Sequence, residues 1–437
     1  MAVLTNAPRG TQDLLPAQSG RWQYVENALL RTAELFGFHE IRTPVFEHTE
    51  LFQRSVGDTT DVVQKEMYTF EDKGRRSITL RPEGTAGVVR AALQNGLLGG
   101  ALPLRCCYVI PCFRYEKPQA GRLREFHQFG VEVFGPSSFD ADAELISLCY
   151  EICGALELKG LKLHLNSIGC KECRQRYYEA LRAFLRERES GLCDTCKSRM
   201  AKNPMRVLDC KSPECQQAVK GAPVMLDYLC EDCAAHFEGL KRRLSLLHID
   251  YVIDPRIVRG LDYYTRTVFE FVSETIGAQG TVIGGGRYDG LVQELGGAPT
   301  PALGFAMGLE RLLMQMEASG AEFPEANRCD LYIASTGEAA QQKALELCTA
   351  LRQEGFIAEC DCMGRSVKAQ MKYAGKLGAR YSAVLGDNEL QSGGCTVKNM
   401  DDGSEHTLSL DGFTDSIYRL LLEGVYNGII DAEPAIK

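Results

Sequence analysis

The chain has 437 residues, 45% of them hydrophobic and 24% charged, and a formal net charge of −9. This length exceeds one ordinary core, so two or three soluble globular domains are expected. The acidic excess excludes wholesale coating of nucleic acid, though not a local basic face, and no apolar run approaches the roughly 20 residues that span a bilayer.

Four regions follow one another. Residues 1–167 open on MAVLTNAPRGTQDLLP, which has no apolar core of signal-peptide length, so a cytoplasmic protein is expected. This region alternates helical stretches such as RWQYVENALLRTAELFGF with strands such as RCCYVIPCFRYE and EFHQFGVEVFG. Residues 168–244 are cysteine-rich and mainly helical, as in RQRYYEALRAFLRERE. Residues 245–325 return to strands in YVIDPRIVRGLDYYTRTVFEFVS and TVIGGGRYDGLVQEL, then end in the apolar helix MGLERLLMQME. The linker ASGAEFPEANR leads to residues 328–437, where CDLYIAS, FIAECDC and YSAVLGD are strands and EAAQQKALELCTALRQEG and SVKAQMKYAGKLGA are helices. The strand pattern stops at 167 and resumes at 245. One domain built from 1–167 and 245–325, interrupted by the insertion 168–244, is therefore expected. The fold class is α/β, of the α+β kind in the larger domain, with a smaller α/β domain of helices on a mixed sheet at the end.

Eight of the 18 cysteines lie in the insertion: Cys170, Cys173, Cys193, Cys196, Cys210, Cys215, Cys230 and Cys233. Three pairs are C-x2-C and one is C-x4-C. In a reducing compartment such pairs are metal ligands or redox groups before they are disulfides. Thiolates at this spacing favour tetrahedral zinc in a closed structural site. Eight ligands suffice for two sites, or for one site with spare thiols; redox sensing is a further reading. CC at 106–107 and CDC at 360–362 read as ordinary small apolar residues.

Several stretches carry candidate chemistry. In RPEGTAG, Glu83 and Thr85 sit in a turn beside Pro82 and Gly84, where a carboxylate can take an ammonium group. Arg114 and Glu116 share a strand face, followed by a polar loop with Lys117, Gln119, Arg122 and Arg124. Arginine beside a basic hairpin loop suits phosphate. In EFHQFGVEVF, Phe126, Gln128, Gly130, Glu132 and Phe134 share one face, and His127, Phe129, Val131 and Val133 form a core-like face opposite. Gly130 leaves a gap that a small ligand fills, or else the strand is simply half-exposed. In RGLDYYTRTVFEF, Arg259 precedes a glycine, with Tyr263 and Tyr264 at the head of a strand. That set reads either as an anion site or as a surface arginine. GGGRYDGL reads as a glycine-rich loop or bulge that fits neither the dinucleotide nor the P-loop fingerprint. ALGFAMGLERLL turns from strand to helix near Gly308, and Arg311 in the first turn opposes the helix dipole unless an anion lies beside it.

Together and in this order, these stretches resemble the bacterial type of histidyl-tRNA synthetase, a class II aminoacyl-tRNA synthetase family, over essentially the whole chain. APRGTQDLLP is similar to the family's N-terminus. GFHEIRTPVFEHTELF resembles motif 1, with Pro44 at the dimer interface. FRYE through Phe126 resembles motif 2, and GFAMGLERL motif 3. RGLDYY and GGGRYDGL resemble the two histidine-specific signatures. The resemblance implies ATP-dependent ligation of L-histidine to tRNA(His) through a histidyl-adenylate, by a homodimer with Mg2+ on the phosphates. It implies a largely antiparallel class II catalytic sheet flanked by helices, and an anticodon-binding domain at 328–437. Arg114 would hold the α-phosphate beside the substrate histidine, Glu116 the adenine amino group, and Phe126 would stack under the base. Arg311 would clamp the γ-phosphate. Glu83, Thr85 and Gln128 would receive the amino group of histidine. Glu132 and Tyr264 would bind its imidazole, with Tyr263 lining the pocket. Arg259 would contact the carboxylate and the α-phosphate, sharing the catalytic role with Arg114.

In the last domain Arg365, Lys368, Lys372, Lys376 and Arg380 recur every three or four residues, with no acid between 362 and 386. On a helix that spacing makes a basic stripe, either a solvated face or, as the unmixed sign suggests, an RNA-facing surface for the anticodon arm. Two rival functions exist. A regulatory paralogue would bind histidine without charging tRNA, but such proteins tend to lose the catalytic arginine or the last domain, and both are kept here. A zinc-ribbon nucleic-acid binder would leave most of the chain unexplained. The insertion is expected to stiffen a helical lobe, with zinc or buried thiols, that leans on the tRNA acceptor arm.

Overall fold

The computed structural model describes residues 5–57, 60–257, 259–276, 280–324 and 328–430, the last nine as backbone only. It divides into two units, Met1–Pro324 and Glu325–Lys437.

The strands of the first unit are β1 (His39–Glu40), β2 (Phe46–His48), β3 (Thr69–Glu71), β4 (Ser77–Leu80), β5 (Leu104–Phe113), β6 (Glu125–Phe134), β7 (Leu161–Ser167), β8 (Val252–Ile253), β9 (Thr265–Ser273), β10 (Thr281–Arg287) and β11 (Ala302–Gly308). Eight of them form one sheet in the order β1-β5-β6-β11-β10-β9-β7-β8, and β2-β4-β3 form a small separate sheet. The strands from β5 to β7 in that order pair antiparallel, while the short edge strands β1 and β8 pair in parallel. GGGR, expected as a loop or bulge, is the body of the central strand β10, and only its end is irregular, where the register slips between Gly286 and Arg287. Three glycines in a row form a strand because both neighbours press closely on it. A Cβ on Gly285 would fall 2.6 Å from Cβ of Phe305.

Strict alternation gives the sheet two different faces. Cys107, Phe129, Val131, Phe269, Leu303 and Phe305 join one core, covered by helices Pro16–Leu35, Phe139–Ala155, Glu231–Leu246 and Leu309–Ser319. Cys106, Tyr108, Ile110, Phe134 and Val268 join a second core with the helix Thr85–Gln94 and the cysteine-rich segment. CC at 106–107 thus serves both cores. In CDC, Cys360 is half-buried but Cys362 is exposed, so the apolar reading fails for Cys362.

The helix Phe139–Ala155 starts at Ser138, whose Oγ accepts the Asp140 amide at 3.1 Å, with Asp140 and Asp142 in the first turn where the dipole favours acids. Asp142 is buried and takes Nε of Arg287 at 2.8 Å and Nε2 of His236 at 3.3 Å. Burial works against the Asp142 charge, yet His236 and Arg287 outweigh it and hold the carboxyl below its ordinary range. His236 lies on Glu231–Leu246, which returns from the insertion and lays Phe237, Leu240 and Leu244 into the first core. The expected insertion boundary at 244 falls inside this helix.

The second unit has β12 (Leu331–Ser335), β13 (Ala358–Cys360), β14 (Tyr381–Leu385), β15 (Gly394–Asn399) and β16 (Glu405–Ser409) in the order β13-β12-β14-β15-β16. β12 is parallel to both neighbours, and β14-β15-β16 continue antiparallel. Helices Glu338–Gln353 and Phe413–Ile430 pack in one core, and Val367–Leu377 packs in the other. Among the described residues no helix is long and apolar enough to cross a membrane.

Removing one partner of a buried ion pair leaves the other charge stranded, at a cost of about 3–5 kcal/mol. Arg287→Met should therefore lower the thermal midpoint of the first unit sharply. Adding Asp142→Asn should recover part of the loss, as a differential scanning calorimetry series on the three variants would show.

Candidate active site

The face of β6 that carries Phe126, Gln128 and Glu132 opens into a cleft. Glu83, Thr85, Arg114, Glu116, Arg259, Tyr263, Tyr264 and Arg311 also line it, so every residue singled out for the small substrates meets in one place.

The gap expected at Gly130 is not left for a ligand. Tyr108 pairs opposite Gly130 across β5 and β6, and a Cβ on either Gly130 or Gly84 would overlap its ring. The two glycines form a slot that lets the Tyr108 hydroxyl reach Oε1 of Glu132 at 3.0 Å. The Tyr288 hydroxyl donates to the other oxygen, Oε2. Gly304 stands opposite Glu132 across β6 and β11, where a Cβ would strike the carboxylate. Glu132 is 1% exposed, and burial pushes its carboxyl up to about 8 despite the two phenols, which favour the anion. The Tyr263 and Tyr264 rings lie tilted against each other with centroids 4.7 Å apart, and the Tyr263 hydroxyl donates to Oγ1 of Thr85 at 3.5 Å.

Arg259 lies over the Tyr264 ring, 5.7 Å from its centroid, and donates to Glu270 on β9. Oγ1 of Thr281 donates to the other Glu270 oxygen at 2.8 Å. A Cβ on Gly284 would overlap the guanidinium, so this glycine is what admits Arg259 to the sheet surface. Arg259 is therefore a held cation and not a surface arginine.

Glu83 is 3% exposed, and its oxygens accept the amides of Thr85 at 2.7 Å and Ala86 at 2.9 Å, at the start of the helix Thr85–Gln94. Burial raises its carboxyl pKa while those amides oppose the rise. Each oxygen keeps a lone pair for a further donor. Gln128 Oε1 takes the Cys112 thiol at 3.3 Å.

β5 ends at Phe113, so Arg114 and Glu116 lie in the loop beyond it and not on a strand face as expected. The pairing still continues one residue further, with the Arg114 amide donating to Arg124 O at 2.8 Å. Arg114 donates through Nε to Pro82 O at 2.8 Å and lies 5.2 Å from the Phe126 ring centroid. Glu116 pairs with Nε of Arg122 at 2.6 Å. Arg311 is the third residue of Leu309–Ser319 and donates to the carbonyls of Gly121 and Thr281, each at 3.0 Å. Burial, then Arg122, lowers its pKa.

Sequence reasoning missed the residues that hold others in place. These are Tyr108 and Tyr288 on Glu132, Glu270 and Thr281 on Arg259, and Glu310, which accepts the His127 amide at 2.9 Å. Tyr288 sits inside GGGRYDGL and could have been found there. Tyr108 and Glu270 become visible only once the strand register is known.

The basic stripe divides in two. Lys368, Lys372 and Lys376 are exposed on Val367–Leu377, and among the described residues none has an ion pair. Arg365 precedes the helix, pairs with Asp361 at 3.4 Å and covers the Tyr373 ring at 4.5 Å, while Arg380 faces Asp330 at 3.8 Å. The acid-free run in sequence is thus neutralised at both ends by acids from outside it.

The family model described as histidyl-tRNA synthetase matches residues 10–312, and that described as anticodon binding domain matches residues 330–420. A protein named histidine–tRNA ligase from Acetivibrio thermocellus is 56% identical, covering 94% of this chain and 98% of its own. One of the same name from Clostridium novyi is 52% identical, covering 95% and 99%. The crystal structure of apo histidyl-tRNA synthetase from S. aureus superposes with a TM-score of 0.82 at 40% identity, covering 95% of this chain and 100% of that one. A structure described as an ATP phosphoribosyltransferase regulatory subunit/histidyl-tRNA synthetase from Bacillus halodurans C shares the fold, with a TM-score of 0.63 at 23% identity over 88% of this chain and 99% of that one.

Glu132 carries a testable pH signature. Its folded carboxyl titrates near 8 against an ordinary 4.5, so over that window the ligand-free fold keeps a proton the unfolded chain has released. The resulting stability is full at low pH and is lost as pH rises through the folded value. Melting midpoints between about pH 5 and about pH 8 should therefore fall less in Glu132→Gln than in the parent. Parallel falls in the two proteins would reject the assignment.

Proposed function

The chain belongs to the histidyl-tRNA synthetase family and ligates L-histidine to tRNA(His) with ATP, and we propose how its cleft divides that work. The observation that carries the reading is that a buried, phenol-held carboxylate and three arginines share one cleft. The first suits an imidazole and the second suits phosphates.

Glu83, Thr85 and Gln128 take the histidine ammonium group, and Glu132 and Tyr264 take the imidazole, with Tyr263 closing the pocket. A site whose buried polar groups need partners rejects analogues lacking them by roughly 10⁴–10⁵. Phe126 stacks on adenine and Glu116 accepts its amino group. Arg114 and Arg259 meet the α-phosphate, and Arg311 the γ-phosphate. The substrate carboxylate is already ionised at neutral pH, so activation needs no general base. Its oxygen attacks the α-phosphorus, the bond to pyrophosphate breaks, and pyrophosphate leaves with the displaced charge. The protein contributes in-line placement and fixed cations. Glu270 anchors Arg259 before substrate arrives, so its charge needs no reorganisation during the step. A ribose hydroxyl at the tRNA end then displaces AMP from the acyl carbon.

Mg2+ bound with the triphosphate would supply further positive charge to it. It takes hard oxygen donors, and in this cleft the Glu310 carboxylate, fixed by the His127 amide, fits that need. A homodimer and a cytoplasmic location complete the reading; exposed Val45, Phe46 and Phe70 near the motif 1 segment support the dimer. A catalytic core interrupted by the insertion from 168, its far boundary moved off 244 because that helix packs into the core, and a last domain from 328 that binds the anticodon arm are part of the same proposal. The three unpaired lysines on Val367–Leu377 support it. A histidine-binding regulatory role without charging would leave that unit without a task.

Two measurements bear on this reading. Arg259→Gln should lower kcat/KM for histidine-dependent ATP–pyrophosphate exchange by about 10²–10³, the loss expected for a transition-state donor. Folded parent protein without histidine-dependent exchange would sink the assignment. Lys368→Glu with Lys372→Glu should weaken tRNA charging and leave exchange intact; joint loss of both activities would contradict the RNA-facing role.

A further inference from the structure

The sequence leaves open how the eight insertion cysteines associate, and the fold sorts them. Cys170, Cys173, Cys230 and Cys233 form one group, and Cys193, Cys196, Cys210 and Cys215 another; within each, the sulfurs lie within 4.8 Å of one another. We infer that the insertion binds two zinc ions, each held by the four thiolates of one group.

The distances suit one ion per group. Tetrahedral zinc with arms of about 2.3 Å sets its sulfurs about 3.8 Å apart. Sγ of Cys170 and Cys173 are 3.5 Å apart, and those of Cys193 and Cys210 are 4.0 Å apart. A disulfide needs about 2.0 Å, and all eight thiols are free. An iron–sulfur cluster, whose thiolates bind separate irons bridged by sulfides, needs a wider cage.

The backbone is arranged for thiolates in the same way at three of the four pairs. Cys170, Cys193 and Cys230 are the N-caps of Lys171–Arg186, Asp194–Lys202 and Glu231–Leu246, and Cys173, Cys196 and Cys233 are the third residues of those helices. Free amides and the dipole at a helix start favour negative sulfur. Within each group an amide of one pair donates to a sulfur of the other. Cys230 N reaches Sγ of Cys173 at 3.0 Å, and Cys193 N reaches Sγ of Cys215 at 3.2 Å. The second cysteine of every pair is buried and the first half-buried, so neither group presents an open face for a substrate. These are closed structural sites.

The two ions would brace the wall of the cleft. The first group joins the point where the chain leaves β7 to the helix that returns to the sheet. Arg174, next to Cys173, donates to Tyr264 O at 3.0 Å. The second group fixes the middle of the lobe. From there Arg199 reaches Asp61 at 2.6 Å, Asn203 reaches Asp262 at 3.0 Å, and Arg206 reaches Asp262 at 3.1 Å. Asp262 lies between Arg259 and Tyr263 in sequence.

The test is a metal count on the full chain, grown with zinc and purified without chelator. Mass spectrometry for metals should find two zinc per chain, and a mercurial thiol reagent should release both to a chromogenic chelator. Cys196→Ser and Cys233→Ser should each leave one, while Cys362→Ser, outside the groups, keeps two. Removing zinc should lower the thermal midpoint by several degrees and open residues 187–229 to limited proteolysis, and restoring zinc should reverse both. If either serine variant fails to fold, the count and release on the parent still decide. One zinc per chain, iron in place of zinc, or eight reactive thiols with a midpoint indifferent to zinc would each overturn the proposal.

Discussion

Tyr108 faces Gly130 across one strand pair, and Glu132 faces Gly304 across the next. The cleft depends on this register. The phenol fits because glycines at 84 and 130 leave room for its ring, and the carboxylate fits because position 304 has no side chain. A slip of one residue in β6 would send Glu132 into the apolar core and Phe129 into the cleft. The apolar faces under the four covering helices forbid that slip, so the packing of one face fixes the chemistry of the other.

The same sheet settles its charges in pairs. Arg259 is anchored by Glu270 on β9, and Arg287 by Asp142, whose carboxylate also faces His236. Both are permanent cations in surroundings that would otherwise exclude them. Arg287 is fully buried and ties the Phe139–Ala155 helix to β10 through Asp142, which in turn faces His236 of the returning helix. Arg259 is held just as firmly but faces the cleft, where its charge stays available to an anion. Glycine at 284 makes the difference by giving its guanidinium a bed on the strand.

The insertion solves a different problem. Its helices between 194 and 218 are short, and apolar anchors between its first and last helices are few: Leu192, Met205, Val207 and Met225 are the buried ones there besides cysteines. A lobe with so small a core needs staples. The fold places four sulfurs at each of two points where such staples belong, and hydrogen bonds from Arg174, Asn203 and Arg206 join the lobe to the segment bearing Arg259 and Tyr264, while Arg199 joins it to Asp61.

Alternation in RCCYVIPCF and EFHQFGVEVF determined two long strands and named which residues face the core, because period two survives any arrangement of neighbours. Local motifs picked out residues that line the cleft, since Glu83, Arg114, Gln128, Glu132, Arg259 and Arg311 each lie in a short segment with its own pattern. Pattern could not reveal what occupies the space beside a glycine. Gly130 read as a ligand gap or a half-exposed strand position, and GGGR as a loop or bulge, whereas Gly130 admits Tyr108 and GGGR is the body of a central strand whose register slips at its end. Nor could it reveal that Asp361 and Asp330 neutralise the ends of the basic stripe, or which cysteines of the insertion meet. Pairing across strands, between ions and among thiols joins residues far apart in the chain. The sequence therefore determined which groups were present and which way each strand faced, and only the tertiary structure decided which of them touch.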